Sequence, residues 1–532
     1  MANFQLSQYQ QNIINHVCNS RNNLLVDAKA GSGKTSTALI AVKEFLHTNP
    51  RAEVIISAFN RSIANEIKVK MNGYTHVNVC TSHSLGLKAI RKYIRIKGEN
   101  IPLVVNDKVL HFKLLYNLKD YSKIIDEETE NNSKWDFINN VDKVLNLCRV
   151  NLIKADEVER INEIIETFGI VCVADEVSAV RKFLETAYEL RVEKNVKEVY
   201  GRTTKIHPRA YVIDYCDMLT FGATHADFCE SVDLFVGDEC QDFNFAQHNL
   251  IFNSLSENGK WLLIGDPKQA INGFCGAMND SFDRLAEVPN TDMLPLSVNY
   301  RCGKEIIAKA QEIVCDIEAH ENAIDGEVNE VTDLAKIQPK DFILCRTKAP
   351  LVRIAMNLIK NNKTAFVLGK DIANGLKALI RQTKLRNSDS TTLLMDKLNE
   401  ILEATKTEVI NKGYKGDLEE NPTLIELTDK VACLDAISLP CTNISETLDR
   451  IATLFSEDAK ANAILCMTAH KSKGLEADNV FIVLPNKLPL TWKGQLDWQF
   501  QQEKNLEYVA YTRAKKSLNI VTNEDLGGMD VE

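Results

Sequence analysis

The sequence predicts an α/β protein of two parallel-sheet domains, each interrupted by a mostly helical insertion. Three observations lead there. At 532 residues the chain is too long for one ordinary core. Short apolar runs alternate with helical sequence near its start and again in its second half, the pattern of parallel sheets covered on both faces. Two long stretches between those runs carry helical periodicity alone.

Taken in chain order, Leu24-Leu25-Val26 reads as a strand that ends in a glycine-rich turn, with a helix from about Lys34. Val54-Ile55-Ile56 and the run from Val77 to Cys80 are the next strands, each followed by helical sequence. From about Leu87 to Pro208 helices are expected: Phe137, Val141, Val144 and Cys148 share a helical face, as do Val177, Val180, Leu184 and Ala187. Strands resume at Tyr211-Val212-Ile213, Leu234-Phe235-Val236 and Trp261 to Ile264. A second alternating region starts near Leu294, with strands at Phe342-Ile343-Leu344, Ala365 to Leu368, Ile464 to Met467 and Val480 to Leu484. The expected division is a first α/β domain at 1–86 and 209–293 and a helical insertion at 87–208. A second α/β domain follows at 294–374 and 461–532, with a short helical insertion at 375–460.

Composition narrows the class. The chain is 45% hydrophobic, 26% charged and 7% aromatic, as soluble globular proteins are. Its 14 cysteines include no C-x-x-C pair, which excludes a zinc ribbon or a disulfide framework and suits a reducing interior. The first residues carry no apolar signal region and no run reaches membrane-spanning length. A cytoplasmic protein without membrane partners is expected, nucleoid-associated or in a nuclear or viral-host compartment, with no appended nuclease or localisation module. The net charge of −10 does not exclude nucleic acid, because phosphate contacts depend on local clusters. Lys88, Arg91, Lys92, Arg95 and Lys97 form one such cluster, which reads equally well as a solvated helix face.

Two motifs carry chemistry. The segment from Asp27 to Thr35 follows a strand and opens a helix, so its backbone N–H groups and the helix N-terminus would face phosphate oxygens. Lys34 would reach the β- and γ-phosphates of ATP, and the Thr35 hydroxyl would ligate Mg²⁺. Ala28 stands where the usual pattern has its first glycine. Asp238-Glu239-Cys240-Gln241-Asp242 follows the strand at Leu234-Phe235-Val236; Asp238 would hold the metal and Glu239 would orient or deprotonate the attacking water. Together they make a nucleoside-triphosphatase site, without saying what it powers.

With these motifs the chain resembles the UvrD/Rep/PcrA family of superfamily-one DNA helicases, from near Leu6 to Lys515. Leu6-Ser7-Gln8-Tyr9-Gln10 is similar to the family's Q motif, and Ala30 to Thr35 to its phosphate loop. Ser57-Ala58-Phe59-Asn60 and Thr81-Ser82-His83-Ser84-Leu85-Gly86 resemble two strand-end motifs that touch DNA. Gly265-Asp266-Pro267-Lys268-Gln269 with Phe274, Asn299-Tyr300-Arg301, the run from Thr468 to Glu476, and that from Tyr508 to Ala514 complete the set in the family's order. The resemblance implies two RecA-like P-loop domains. It makes Lys34, Asp238, Glu239, Gln269, Arg301 and Arg513 the catalytic residues. ATP would lie against Gln10, Ala30, Gly31, Ser32, Gly33, Lys34, Thr35, Ser36, Tyr300 and Glu476. Single-stranded DNA would cross Phe59, Asn60, His83, Phe274 and His470.

As a function, the resemblance implies a Mg²⁺- and ATP-dependent helicase moving 3′-to-5′ on single-stranded DNA and at junctions with duplex, working beside replication or repair proteins. Three departures are visible. Ser36 stands where the family commonly has arginine. Ile271 to Ala277 lacks the tyrosine and arginine of the usual motif. The second insertion is short. The last two support, as the alternative, a translocase that remodels protein–DNA complexes without robust unwinding. An ATP-gated DNA-binding scaffold is a third reading. A P-loop kinase leaves the second half of the chain unexplained.

Overall fold

The computed structural model describes residues 6–98, 103–104, 131–170, 172–193, 210–271, 273, 280–411, 418, 421–455, 462–493 and 495–522. The chain forms two compact units. One comprises Met1–Ala28, Lys34–Pro267 and Asn272–Leu296; the other comprises Lys29–Gly33, Lys268–Ile271 and Ser297–Glu532.

The first unit is built on strands β1 (Asn23–Ala28), β2 (Val54–Ser57), β3 (Val77–Cys80), β7 (Val232–Asp238), β8 (Leu255–Gly265) and β9 (Thr291–Leu296). They form one sheet in the order β3-β2-β7-β8-β1-β9, and every pair is parallel. Side chains alternate across its faces. Leu24, Val26, Ile56, Val236 and Ile264 enter one core, and Leu25, Ile55, Phe235, Trp261 and Leu263 enter another. Both faces are therefore covered, which is why these strands read as continuous apolar runs. On the second face the helices Ser82–Ile96 and Tyr215–Thr224 pack in direct contact at Gly86, where a Cβ would overlap the Met218 carbonyl.

Two expectations change here. Tyr211-Val212-Ile213 does form a strand, β6 (Ala210–Ile213), but outside the main sheet: it pairs with β4 (Leu103–Val104) and β5 (Arg191–Glu193) in a separate three-stranded sheet. The stretch expected to be helical thus contains two short strands, too short to leave a period in the sequence. Leu294, expected to open the second region, instead lies in β9, which pairs with β1 at the edge of the first sheet. The helical faces hold. Val141, Val144, Cys148, Val180 and Leu184 are buried together in a core formed by the helices Asn131–Val150, Val158–Thr167 and Ala174–Leu184, and Ala187 joins it from the turn after the last helix.

The second unit repeats the scheme with β12 (Glu327–Val331), β13 (Phe342–Cys345), β14 (Ala365–Val367), β15 (Ile464–Thr468), β16 (Ala477–Val483) and β17 (Ala514–Val521). Their order is β12-β17-β16-β13-β15-β14, again all parallel, and β10 (Val298–Asn299) pairs with β11 (Glu318–Ala319). The helices Thr391–Asn411, Pro422–Ser438 and Ile444–Leu454 lie in the second helical stretch. Among the described residues they share a core with the sheet: Leu394, Leu398, Leu434, Ile437 and Ile451 pack with Ile343, Val367, Cys466 and Val483.

Candidate functional site

β1 carries the chain to the turn Lys29–Gly33, and the helix Lys34–Thr48 begins directly after it. Gly31 and Gly33 have φ of +65° and +81°, where any side chain is strained. At the head of the helix Lys34 Nζ is buried and finds no hydrogen-bond partner among the described residues, and neither does Ser32 Oγ. An ammonium held out of water without an acceptor is destabilising, so an anion that supplies acceptors fits this turn. A triphosphate meets that need.

Thr35 Oγ1 donates to Asp238 Oδ2 at 2.7 Å. That spacing is close to the ~2.9 Å between adjacent ligands of an octahedral Mg²⁺, so these two oxygens suit one cation. Among the described residues no group of three or more His, Cys, Asp or Glu could hold a metal by itself. Two protein ligands beside a phosphate-bound Mg²⁺ fit that finding. Burial, and then the neighbouring Glu239 carboxylate, push the Asp238 carboxyl above its ordinary pKa, while Thr35 and Lys34 act the other way. Glu239 adopts a left-handed φ of +59° just beyond β7. Its carboxylate accepts from Gln241 Nε2, and Gln241 Oε1 accepts from Asp266 N at 3.0 Å, so one amide joins the ends of β7 and β8.

Gln10 lies in the first turn of the helix Gln8–Asn19 and is 1% exposed. Its Oε1 accepts from Ser7 N at 3.0 Å and its Nε2 donates to Thr37 Oγ1 at 3.2 Å, which ties it to the helix that starts at Lys34. Ser36 is exposed.

In the second unit the turn is held through its own backbone atoms. Ala30 N donates to Tyr508 Oη at 3.0 Å, Ala30 O accepts from Asn299 Nδ2 at 2.7 Å, and Gly31 O accepts from Tyr300 N at 2.9 Å. Gly31 is tight as well as left-handed, since a Cβ there would overlap the Asn299 amide. Gln269 is buried and its carbonyl accepts from Lys473 Nζ at 2.8 Å. Arg301 Nε pairs with Glu476 Oε2 at 2.7 Å while another of its guanidinium nitrogens donates to Thr512 O at 3.1 Å. Partial burial works against the Glu476 carboxylate, but Lys515 at 2.6 Å and Arg301 outweigh it and hold its pKa below the ordinary value. Arg513 is 2% exposed and donates to Val509 O, Leu475 O and Thr512 Oγ1. Tyr300 lies 4.8 Å, ring to ring, from His320.

The expected DNA contacts divide. Phe59, just past β2, is 52% exposed and open to a stacking partner. Asn60 caps the helix Arg61–Lys70, accepting from Ile63 N at 2.9 Å. His83 meets the half-exposed Tyr215 edge-on at 5.8 Å, and burial lowers its pKa. His470 in the second unit is driven down to about 3 by burial and by Arg346 and Lys348, so it is neutral at pH 7. Phe274 lies outside the described residues. In the basic cluster Lys88 pairs with Glu230 at 3.0 Å and Lys92 donates to Asp227 O and Cys229 O, which engages part of it within the fold.

Residues 6–289 match the UvrD/REP helicase N-terminal domain, and residues 355–525 match the UvrD-like helicase C-terminal domain. The chain belongs to the UvrD/REP helicase family. It is 24% identical to a probable DNA helicase II homolog of Mycoplasma pneumoniae, over 95% of this chain and 82% of that protein. It is also 24% identical to F-box DNA helicase 1 of Gallus gallus, over 97% of this chain but 49% of the relative. The ATP-dependent DNA helicase Rep of Buchnera aphidicola is 23% identical over 55% of this chain and 43% of its own length. The two six-stranded parallel sheets are the two RecA-like domains of this UvrD-like chain.

Five residues of this family member gain a place that the sequence did not assign: Tyr508 and Asn299 against Ala30, Lys29 and Asp316 paired at 2.8 Å, and Tyr215 against His83. Tyr508 and Asn299 stood inside motifs, but their partner is hundreds of residues away and no local pattern points to it. Among the described residues no helix is long and apolar enough to cross a membrane.

Proposed function

We propose that the protein is a Mg²⁺-dependent ATP hydrolase that moves 3′-to-5′ along single-stranded DNA and separates duplex ahead of it. The observation that carries this reading is the buried, unpartnered Lys34 Nζ at the head of a helix, one residue from the Thr35–Asp238 pair. Bound MgATP supplies the phosphoanhydride that is broken and the divalent charge that polarises it. Lys34 neutralises the β- and γ-phosphates, Thr35 and Asp238 hold the cation, and Glu239, steadied by Gln241, orients the attacking water. Arg301 and Arg513 are assigned to the γ-phosphate; Arg301 exchanges Glu476 for phosphate, a stronger anion. Gln10 and Tyr300 are assigned to the adenine.

Phe59 stacks on a base, which contributes about 1–3 kcal/mol and tolerates any sequence. Asn60, His83, Phe274 and His470 are likewise assigned to single-stranded DNA. The 87–208 and 375–460 segments are read as the family's two insertions, with the α/β domains at 1–86 with 209–293 and 294–374 with 461–532. The family relation supports DNA as the substrate and, with it, replication or repair proteins as partners.

The test is strand separation from partial duplexes with a 3′ or a 5′ single-stranded tail, in MgATP, with Lys34→Ala as control. Separation from the 3′ tail alone, absent in the control, is the expected result. Hydrolysis stimulated by single-stranded DNA with no separation from either tail would overturn unwinding and leave the translocase.

A further inference from the structure

The helix Asp497–Tyr511 carries Asn505 and Tyr508 at the i, i+3 spacing, so the two side chains leave it from one face. Both are buried, and each meets the main chain of a different, distant segment of the same unit. Tyr508 Oη accepts from Ala30 N at 3.0 Å, in the turn Lys29–Gly33. Asn505 Nδ2 donates to Ala270 O at 3.0 Å, in the segment Lys268–Ile271. The Asn505 amide is itself steadied one helical turn back, where Gln501 Nε2 donates to Asn505 Oδ1 at 2.9 Å.

Packing joins the same three pieces. Ala30 and Ile271 are buried in one core with Leu506, Tyr508, Val509 and Ala510. Apolar contact is non-directional and holds the segments close without setting their register. A hydrogen bond to one particular N–H or C=O does set it, because the bond weakens steeply with angle. The helix therefore reads the phosphate turn at Ala30 and the Gln269 segment at Ala270, with two side chains a single turn apart.

We propose that Asn505 and Tyr508 are positioning residues for ATP hydrolysis, Tyr508 for the turn that faces the phosphates and Asn505 for the segment that bears Gln269. Both roles rest on the reading of the chain as an ATP hydrolase. By engaging the Ala30 N–H, Tyr508 fixes the direction of the peptide groups that follow it in the turn, the groups that face phosphate. Its loss is felt when ATP binds. Asn505 fixes the peptide next to Gln269, a residue assigned to the reaction and not to holding the nucleotide. Its loss is felt in the transition state.

The experiment compares the full chain with Y508F, N505A and N519A. Y508F keeps the ring and removes the acceptor; N505A removes the donor. Asn519 is a buried amide that donates to Val480 O at 3.4 Å within the second sheet, so N519A loses a bond of the same kind away from both segments. Equilibrium binding of labelled ATP gives Kd, steady-state hydrolysis gives kcat, and thermal melts report stability. Y508F is expected to raise Kd about tenfold, and N505A to lower kcat about tenfold at unchanged Kd, the scale of one buried hydrogen bond. N519A lowers the melting temperature with the parent's Kd and kcat. A fall in melting temperature alone in Y508F and N505A overturns the proposal, because their role is then merely structural. Equal changes of Kd and kcat in both also overturn it, since the helix then acts as a whole, as does a kinetic loss of the same size in N519A. A parent that binds ATP without hydrolysing it overturns the hydrolase reading and the role of Asn505 together, and the Kd of Y508F still decides the role of Tyr508.

Discussion

A lysine with its ammonium buried and no acceptor weakens the fold that holds it, so Lys34 marks where binding and stability oppose each other. Lys34→Met is expected to leave the melting temperature of the ligand-free protein unchanged or raised, while abolishing ATP turnover. MgATP at about 100 times its Kd stabilises the parent by roughly 2.7 kcal/mol, and that shift should vanish in the variant; calorimetry with and without MgATP measures both. Arg149 is the opposite case. It is 1% exposed and donates to Asp214 at 2.6 and 3.2 Å and to Asp217, the two carboxylates that cap the helix Tyr215–Thr224. Arg149→Met removes the guanidinium from both carboxylates and is expected to lower stability by about 3–5 kcal/mol in urea unfolding.

Helix ends decide how one residue can serve structure and ligand together. Asn60 caps the helix Arg61–Lys70 and is also an expected DNA contact, and the two roles separate by substitution. Asn60→Ala removes the cap and should cost about 1 kcal/mol. Asn60→Asp keeps an accepting oxygen, so the urea midpoint should hold, yet its charge repels phosphate and single-stranded DNA affinity should fall. If Asn60→Asp binds oligo(dT) like the parent, Asn60 serves only the helix. At this scale the strands were legible wherever both faces are covered, as in β1, β2, β7 and β8. The edge strand β9 was not: its burial is partial and Pro295 interrupts it. The short β4 and β5 were invisible because two or three residues make no period.

For the whole molecule, catalytic residues are assigned to both units, so damage to either should stop turnover by different routes. Arg301→Ala is expected to lower kcat by about 10³ or more while ATP binding changes much less; single-turnover hydrolysis and equilibrium binding of labelled ATP separate the two. Both units also contain a histidine held neutral at pH 7, buried at His248 and half-buried at His470. Burial, with Arg284 adding, lowers His248 to about 4, and it lies 2.9 Å from Ser281 Oγ; His470 is at about 3. Both folded values lie below the ordinary 6.5, so between them the unfolded chain binds more protons. This stability is complete above pH 6.5 and declines as pH falls towards 4 and 3. Urea unfolding from pH 7 to 4 should show the decline, and His248→Gln should flatten it.

The sequence alone determined the two parallel-sheet domains, the glycine-rich turn between strand and helix, and the family, because each rests on local order: apolar period, glycine placement, and motifs in sequence. It also determined the helical faces around Val144 and Val180, since burial repeats with the helix turn. Only the tertiary structure decided that Tyr508 and Asn299 hold Ala30, that Glu476 holds Arg301, and that the second helical stretch shares its core with the sheet while the first has its own. It likewise decided that Lys34 Nζ finds no acceptor among the described residues. Such pairings join residues far apart in the chain, and their partners are set by packing and distance, which leave no periodic mark in the sequence.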